Sequence, residues 1–220
     1  GADNLLRARV ALAQKGDAGS LVLTDTEFAA RSGAQVAVAR DGRLTLAWPG
    51  KGGAAIDWAL DGAITSQGGG LPKAALRLAR RAGGGFGGQL FIDPYTADGA
   101  RLAFEPVRFV AGPKGDTRFT TALRLDGPLP DGAVRGLGLP IDGRLAPNGA
   151  IVINEHCAPL TLLEARYGSF ALGQTRQTLC PLPNSALFAM GAGGMKGGAE
   201  LRNVALNGRS GDSPVSYTHL

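Results

Sequence analysis

The chain has 220 residues, of which 44% are hydrophobic, 6% aromatic and 19% charged, and its formal net charge is +5. This length suffices to bury a core, either as one large β domain or as two smaller ones. The basic residues are dispersed and favour a solvated strand face, with attraction to anionic lipid headgroups as the alternative; no stripe typical of nucleic-acid binding is present.

Short stretches in which apolar and polar residues alternate predict β-strands along most of the chain. Alternate residues of a strand point to opposite faces, so each strand would have one apolar and one polar face. This is typical of antiparallel sheets. The alternating stretches are residues 6–12, 36–38, 44–48, 56–60, 102–109 and 119–125.

Eight Asx-Gly dipeptides lie between these stretches and predict tight hairpin turns, because Asp, Asn and Gly tolerate the positive φ angles that such turns require. Six of the 18 acidic residues belong to Asp-Gly pairs, which leaves few carboxylates for chemistry. The predicted fold is therefore all-β, a meander of hairpins with few or no helices. The dipeptides begin at Asp41, Asp61, Asp98, Asp126, Asp131, Asp142, Asn148 and Asn207.

Two segments also have features of a helix. Pro72 suits a first helical turn and Gly83 a position just past the end, so residues 72–82 could be helical. Alternation over the same residues, together with neighbouring strands, favours a strand. Residues 160–166 are a second, weaker helical candidate.

The motifs of common enzymes and metal sites do not occur in a suitable context. Residues 83–88 match G-x-G-x-x-G, but a strand pattern follows where a dinucleotide site requires a helix. Residues 191–198 contain Lys196 without the Ser or Thr of a phosphate-binding loop. His156 adjoins Cys157, and neighbours on a strand point apart. We predict no catalytic residues, no metal site and no cofactor.

Cys157 and Cys180 are the two cysteines of the chain and lie 23 residues apart, each beside a Pro-containing turn region, Ala158-Pro159 and Pro181. In an oxidising compartment they would form a disulfide, whose loop closure is worth roughly 3.5 kcal/mol in the chain-entropy estimate. The alternative is a pair of buried free thiols in a cytosolic protein. We favour the disulfide, which predicts a location outside the cytoplasm.

The two ends of the sequence predict an internal fragment of a larger protein. The first residues contain neither an initiating Met nor a signal-peptide pattern, and residues 214–220 break the preceding composition and predict a non-native tail. We expect residues 1–213 to form a single β segment. The Pro- and Gly-rich stretch 127–149 is a candidate internal boundary.

Several strings resemble a YdbH-type member of the AsmA-like superfamily, which is related to TamB of Gram-negative bacteria. The resemblance is best over residues 70–185. Its motifs are Pro94-Tyr95 with Gly99-Ala100-Arg101-Leu102, Leu125-Asp126-Gly127-Pro128-Leu129, Gly136-Leu137-Gly138-Leu139-Pro140-Ile141-Asp142-Gly143, and Cys157 with Leu179-Cys180-Pro181.

The resemblance implies a long, strongly curved β-sheet that crosses the periplasm from an inner-membrane anchor. Its apolar face would form an open groove for the acyl chains of phospholipids moving between the inner and outer membranes, without catalytic residues. The alternative hypothesis is a structural or adhesive β-solenoid, or a passenger segment of a surface protein. The predicted groove residues are Val36, Val38, Leu44, Leu46, Ile56, Trp58, Leu60, Leu123 and Leu125.

Overall fold

The computed structural model describes residues 4–50, 57–80, 85–112 and 114–219, and the chain divides into two compact units, Gly1–Asp93 and Pro94–Leu220. The described residues contain strands, turns and bends but no helix. All the strand pairings described below are antiparallel. The predicted all-β fold with antiparallel strands is therefore confirmed.

The first unit is an antiparallel sheet that follows the chain order, except that two positions in it are each occupied by two short strands placed end to end. Strand β2 lies between β1 and the end-to-end pair β3 and β4, and β7 lies between β6 and β8. The strands are β1 (Leu5–Lys15), β2 (Ala18–Ala29), β3 (Gln35–Val38), β4 (Arg43–Pro49), β5 (Asp57–Asp61), β6 (Ala63–Gly68), β7 (Leu71–Arg80) and β8 (Phe86–Ile92).

In two neighbouring positions of this sheet, two short strands lie end to end instead of one long strand, and the two gaps lie side by side. Strands β3 and β4 follow one another along β2, and β6 and β5 pair with them in the next row. A Cβ on Gly62 would lie 2.8 Å from the Cα of Gly42, so this close approach requires glycine. Asp41-Gly42 and Asp61-Gly62 therefore lie side by side at the gaps between consecutive strands of the sheet. Their prediction as hairpin turns was wrong.

The second unit is also an antiparallel sheet in which short strands lie end to end along longer ones. Its strands are β9 (Tyr95–Ala97), β10 (Ala100–Phe104), β11 (Val107–Ala111), β12 (Thr117–Leu129), β13 (Gly132–Leu145), β14 (Ile151–Ile153), β15 (Ala158–Leu162), β16 (Glu164–Tyr167), β17 (Phe170–Leu172), β18 (Thr175–Pro181), β19 (Phe188–Gly191), β20 (Gly194–Lys196), β21 (Ala199–Arg202), β22 (Val204–Ser210) and β23 (Ser213–His219).

Strands β12 and β13 form the central hairpin of the second unit. On one side, β10 and β11 follow one another along β12. On the other side, β14, β15 and β16 follow one another along β13, and two further interrupted rows, β19-β18-β17 and β20-β21-β22, come next. The stretch 127–149 lies within the central hairpin and the loop after it, whereas the two units divide at Asp93 and Pro94.

Buried amide side chains bridge two of the interruptions. The Asn154 side chain accepts a hydrogen bond from the Asp142 N–H (2.7 Å) and donates to the Pro140 carbonyl (2.9 Å). The Gln177 side chain donates to the Ala205 carbonyl (2.7 Å) and accepts from the N–H of the same residue (3.4 Å). A primary amide carries the donor and acceptor of a peptide group, so it satisfies the backbone where no strand residue can.

The remaining Asx-Gly dipeptides have mixed outcomes. Asp98-Gly99 is a two-residue hairpin turn with both φ angles positive, Asp131 with Pro130 closes the central hairpin, and Asn148-Gly149 lies in the loop between β13 and β14. Asp126-Gly127 instead falls at a β-bulge. Asp142-Gly143 and Asn207-Gly208 lie inside strands, so the predicted turns there were wrong.

The segments with helical features are strands. Residues 71–80 form β7, which pairs on both edges, and the favoured strand prediction is confirmed. The helical candidate at residues 160–166 was wrong, because β15 and β16 occupy it and both pair with β13. The predicted non-native tail forms most of β23, which pairs with β22.

Candidate functional site: the uncovered apolar faces

In-register rows of apolar side chains cross the sheet of the first unit. Residues paired directly across neighbouring strands share a face, so each row is continuous. Two rows span four strands from β1 to β5, and a third spans β3, β6, β7 and β8. The rows are Val10–Leu23–Leu44–Leu60, Leu12–Leu21–Leu46–Trp58, and Val38–Ile64–Leu76–Leu90.

A β-bulge keeps this apolar face in phase along β2. Asp25 has a φ of 49° and lies where the β1–β2 register shifts, which inserts one extra residue into β2. Leu23 and Phe28, an odd and an even position, therefore both face the side of the sheet occupied by β1 residues Val10 and Leu6. Simple alternation along β2 could not have predicted this.

Aromatic side chains lie across the same face. The Trp48 ring lies over Gly19 on the paired strand, where a Cβ would be 2.4 Å from the Trp48 Cζ2 atom. The rings of Trp58 and Phe86 meet edge to face with centroids 5.8 Å apart. Edge-to-face pairs add to the stabilisation from area burial. Trp48, Trp58 and Phe86 therefore pack against neighbouring strands and form part of the apolar surface.

The opposite face of the first unit is polar and carries paired charges. Arg77 also lies over the Phe91 ring on this face, 5.7 Å from the ring centroid. Exposed ion pairs contribute little stability, but they show which face meets water. The pairs are Arg9–Asp25 (3.6 Å), Arg43–Asp61 (4.0 Å) and Lys73–Asp93 (3.2 Å).

The second unit separates apolar and charged residues in the same way. Leu123 pairs with Leu139 and Leu125 with Leu137, on the face that also carries Phe104. When this face is followed through the register of the described strands, it contains no Asp, Glu, Lys or Arg. The charged strand residues all lie on the other face.

These apolar faces are only partly covered: the row residues on β2, β4 and β5 are half-buried, and those on β1 are exposed. The buried hydrophobic residues among the described ones all belong to the second unit, and in β1 of the first unit Leu6 is 70% exposed, Val10 55% and Leu12 64%. The total accessible surface is 14580 Å². Two separate compact domains dividing this mass would expose about 11,400 Å² together. Among the described residues, the apolar rows of the first unit are therefore less completely covered than the core of a compact domain.

The predicted groove residues are distributed over both units. Six of them, Val36, Val38, Leu44, Leu46, Trp58 and Leu60, lie on the apolar face of the first unit, and Leu123 and Leu125 lie on that of the second. Ile56 lies outside the described residues. The prediction missed members of the same rows, above all Leu21, Leu23, Ile64 and Leu90, although the spacing of Leu21 and Leu23 signals a strand face.

The predicted disulfide is present. Cys157 and Cys180 are bonded with an S–S distance of 2.05 Å. Ala158 pairs with Leu179, so the two cysteines occupy the next position of the β15–β18 register. Cys180 is 1% exposed and is the largest fully buried side chain among the described residues. The bond excludes a Cys157 thiol nucleophile, and His156 lies in a loop rather than on a strand.

An ion pair next to the disulfide shifts the pKa of its carboxyl group. The Arg144 guanidinium donates two hydrogen bonds of 3.0 Å to Glu155, and these bonds lower the pKa of Glu155. Desolvation, the second-largest effect on this pKa, opposes the shift, and the attraction of Arg144 and, to a lesser extent, His156 adds to the lowering.

We expect the Glu155 carboxyl to titrate below the model-peptide value of about 4.3. Replacing Arg144 with Gln should return the midpoint towards that value. NMR titration of the Glu155 side chain in both proteins measures the two midpoints. Because the folded-state pKa is lowered, the pair stabilises the fold above the unfolded pKa and is lost as the pH falls through the folded one. An unchanged midpoint in the Arg144 variant would contradict this.

Comparison of the chain with protein-family models, with curated proteins and with solved structures finds no match. Within the described ranges, no helix has the length and apolar character that a membrane crossing requires. The described His, Cys, Asp and Glu side chains form no group of three or more that could hold a metal ion. The candidate site is therefore described by its geometry, the apolar faces of the two units.

Proposed function

We propose that the chain is part of a lipid transfer protein whose apolar sheet faces shield the acyl chains of phospholipids. The observation that carries this proposal is the set of half-buried apolar rows of the first unit, in which Leu46 lies between Leu21 and Trp58. A sheet that leaves such rows incompletely covered favours an apolar partner. Acyl chains fit this need because they bind by burial and require no specific polar contacts.

The free energy involved is large enough to explain why a protein would provide such a surface. Each buried CH₂ group is worth about 0.8 kcal/mol, so exposing two long acyl chains to water costs on the order of 20 kcal/mol. A continuous apolar surface removes most of this cost at every step of transfer. No acid, base or metal takes part, and we propose a non-enzymatic role.

The proposed location is the periplasm, with the full-length protein anchored in the inner membrane and reaching the outer membrane. The Cys157–Cys180 disulfide supports an oxidising compartment. The resemblance to YdbH-type members of the AsmA-like superfamily supports the two membranes as partners. Both membranes would be contacted through other parts of the larger protein.

The proposal is tested by mass spectrometry of organic extracts of the protein, exported to the periplasm and purified in mild detergent. We expect stoichiometric phospholipid with the wild type. We expect much less with Leu46→Asp or Leu123→Asp, because a carboxylate in an apolar row opposes acyl-chain binding. Thr45→Asp and Thr120→Asp introduce the same charge on the opposite face of the same strands and should retain the lipid.

The outcomes separate lipid transfer from the alternative of a structural or adhesive protein. A folded, soluble wild-type protein without lipid would favour the structural role and contradict the proposal. Equal lipid retention by Leu46→Asp and Thr45→Asp, with both variants folded by circular dichroism, would place the lipid elsewhere than on the apolar rows.

A further inference from the structure

The polar face of the second unit has a strong excess of positive charge. Of its charged strand residues, eleven are basic and four acidic. Arg118 and Arg144 are direct cross-strand partners, an arrangement that destabilises a sheet by like-charge repulsion. The basic residues are Arg101, Arg108, Arg118, Arg124, Arg135, Arg144, Arg166, Arg176, Lys196, Arg202 and Arg209, and the acidic ones Asp126, Asp142, Glu164 and Glu200.

Two of these arginines flank a concave part of the polar face. Arg124, Gly138, Thr161 and Arg176 form one in-register row across β12, β13, β15 and β18. Two adjoining cavities of about 570 and 230 Å³ both include Arg124, Thr161 and Arg176 in their walls. The long side chains at the two ends of the row therefore border the same space above its two short central residues.

The floor of this space is held by Gly138 and Thr161. The Thr161 hydroxyl donates a hydrogen bond to the Gly138 carbonyl at 3.3 Å. A Cβ on residue 138 would lie 2.6 Å from the same hydroxyl oxygen, so the floor depends on glycine. This leaves room between the arginines that a larger side chain would occupy.

Among the described residues, no acidic side chain inside the two cavities neutralises the charges of Arg124 and Arg176. Arg124 pairs with Glu105 at 2.8 Å, but Glu105 lies outside both cavities. The Arg176 side chain has no ion pair or hydrogen bond within the described part of the chain, and the residues that line the two cavities include no Asp or Glu. A bound anion would meet the Arg176 guanidinium and the Arg124 guanidinium, which already has Glu105 as a partner outside the cavities.

We propose that the concavity bordered by Arg124 and Arg176 is a binding site for a phosphate group. Guanidinium groups bind phosphate by paired, charge-assisted hydrogen bonds, and a tetrahedral anion has enough oxygens to meet two of them from opposite sides. The phosphate belongs to a free phosphate ion or to the headgroup of a phospholipid. Both arginines lie on the face opposite the apolar rows, and Leu123 and Leu139 also contribute to the wall of the smaller cavity. Phosphate binding by the arginines does not depend on the proposed function.

The test is isothermal titration of the full chain with inorganic phosphate and with a short-chain, water-soluble phosphatidic acid, at constant ionic strength. We expect Arg176→Gln and Arg124→Gln each to weaken binding about tenfold, as expected for the loss of one hydrogen-bonded charge. Arg108→Gln is the matched control, because Arg108 lies on the same face but borders neither cavity. It should change the affinity less than about twofold.

Binding that is lost in the two site variants and kept in the control supports the site. Tighter binding of phosphatidic acid than of phosphate then identifies a lipid headgroup as the source, and equal binding identifies the free ion. Equal weakening in all three variants would show general attraction to the basic face and overturn the proposal. Absence of saturable binding of either probe at millimolar concentration would also overturn it. Lipid on the apolar rows is measured separately, so either proposal can fail alone.

Discussion

Reduction of the Cys157–Cys180 disulfide is expected to lower the free energy of unfolding of the second unit by about 3.5 kcal/mol, the chain-entropy estimate for a loop of this length. The bond connects cysteines 23 residues apart and joins the segment before β15 to β18. Without it, the unfolded chain regains the conformations that the closed loop excludes. The second unit has little buried apolar surface to compensate for this loss.

The measurement is guanidinium chloride unfolding of oxidised and reduced protein, followed by far-ultraviolet circular dichroism. The two tryptophans, Trp48 and Trp58, both lie in the first unit, so their fluorescence reports on that unit separately. The Cys157→Ala/Cys180→Ala double variant is the control for effects of the reductant. A difference below about 1 kcal/mol between oxidised and reduced protein would contradict a stabilising role of the bond.

The free-energy difference also bears on the proposed location. A typical domain is stable by about 5–15 kcal/mol, and a loss of about 3.5 kcal/mol is a large fraction of that range. Protein made in a reducing compartment would then be measurably less stable than exported protein. This links the proposed periplasmic location to a property of the chain itself.

Strand faces were predictable from the sequence because alternation is a local property. Leu44 and Leu46 share a face by spacing alone, and their shared face with Leu60 and Trp58 follows from repeated alternation in the next strand. The face occupied by the β2 side chains after Asp25 was not predictable, because the bulge at Asp25 reverses the alternation along the strand. A bulge depends on the partner strand and leaves little trace in a single sequence.

The structural role of individual glycines could not be predicted from the local sequence. Asp142-Gly143 has the composition of a hairpin turn, but Gly143 lies inside β13 beneath the Phe119 ring, whose Cζ atom would be 2.3 Å from a Cβ. The same dipeptide type at Asp98-Gly99 is a turn. Glycine serves equally where φ is positive and where a ring or backbone approaches closely, and only the tertiary structure separates these uses.

The charge distribution explains why a sequence with ordinary composition can form such an exposed sheet. The chain is 44% hydrophobic, a typical value for a protein with a closed core. In the second unit the charged strand residues lie on one face only, so the other face carries no Asp, Glu, Lys or Arg side chain in the described strands. The proposed anion site and the proposed acyl-chain surface would therefore both follow from this separation of charged and apolar residues.

Replacement of Asn154 is expected to have the second large effect on stability. Asn154 is 4% exposed, and its side chain bonds the Asp142 N–H and the Pro140 carbonyl where β14 ends. Removing the side chain leaves both backbone groups without a protein partner, at about 1–3 kcal/mol for each unsatisfied group. We expect Asn154→Gly to lower the free energy of unfolding by about 3 kcal/mol.

Comparison with Asn154→Ala separates the hydrogen bonds from backbone strain. Asn154 has a φ of 49°, which Gly adopts freely and Ala at a cost of about 1 kcal/mol. The Ala variant should therefore be less stable than the Gly variant by about that amount. If denaturant unfolding shows Asn154→Gly within about 0.5 kcal/mol of the wild type, water replaces the amide without loss and the side chain is not needed to hold the interrupted row. If the expected loss is found, the break between β14 and β15 is part of the fold, and it keeps Ile153 and Ala158 on the one apolar face that the proposed lipid surface requires.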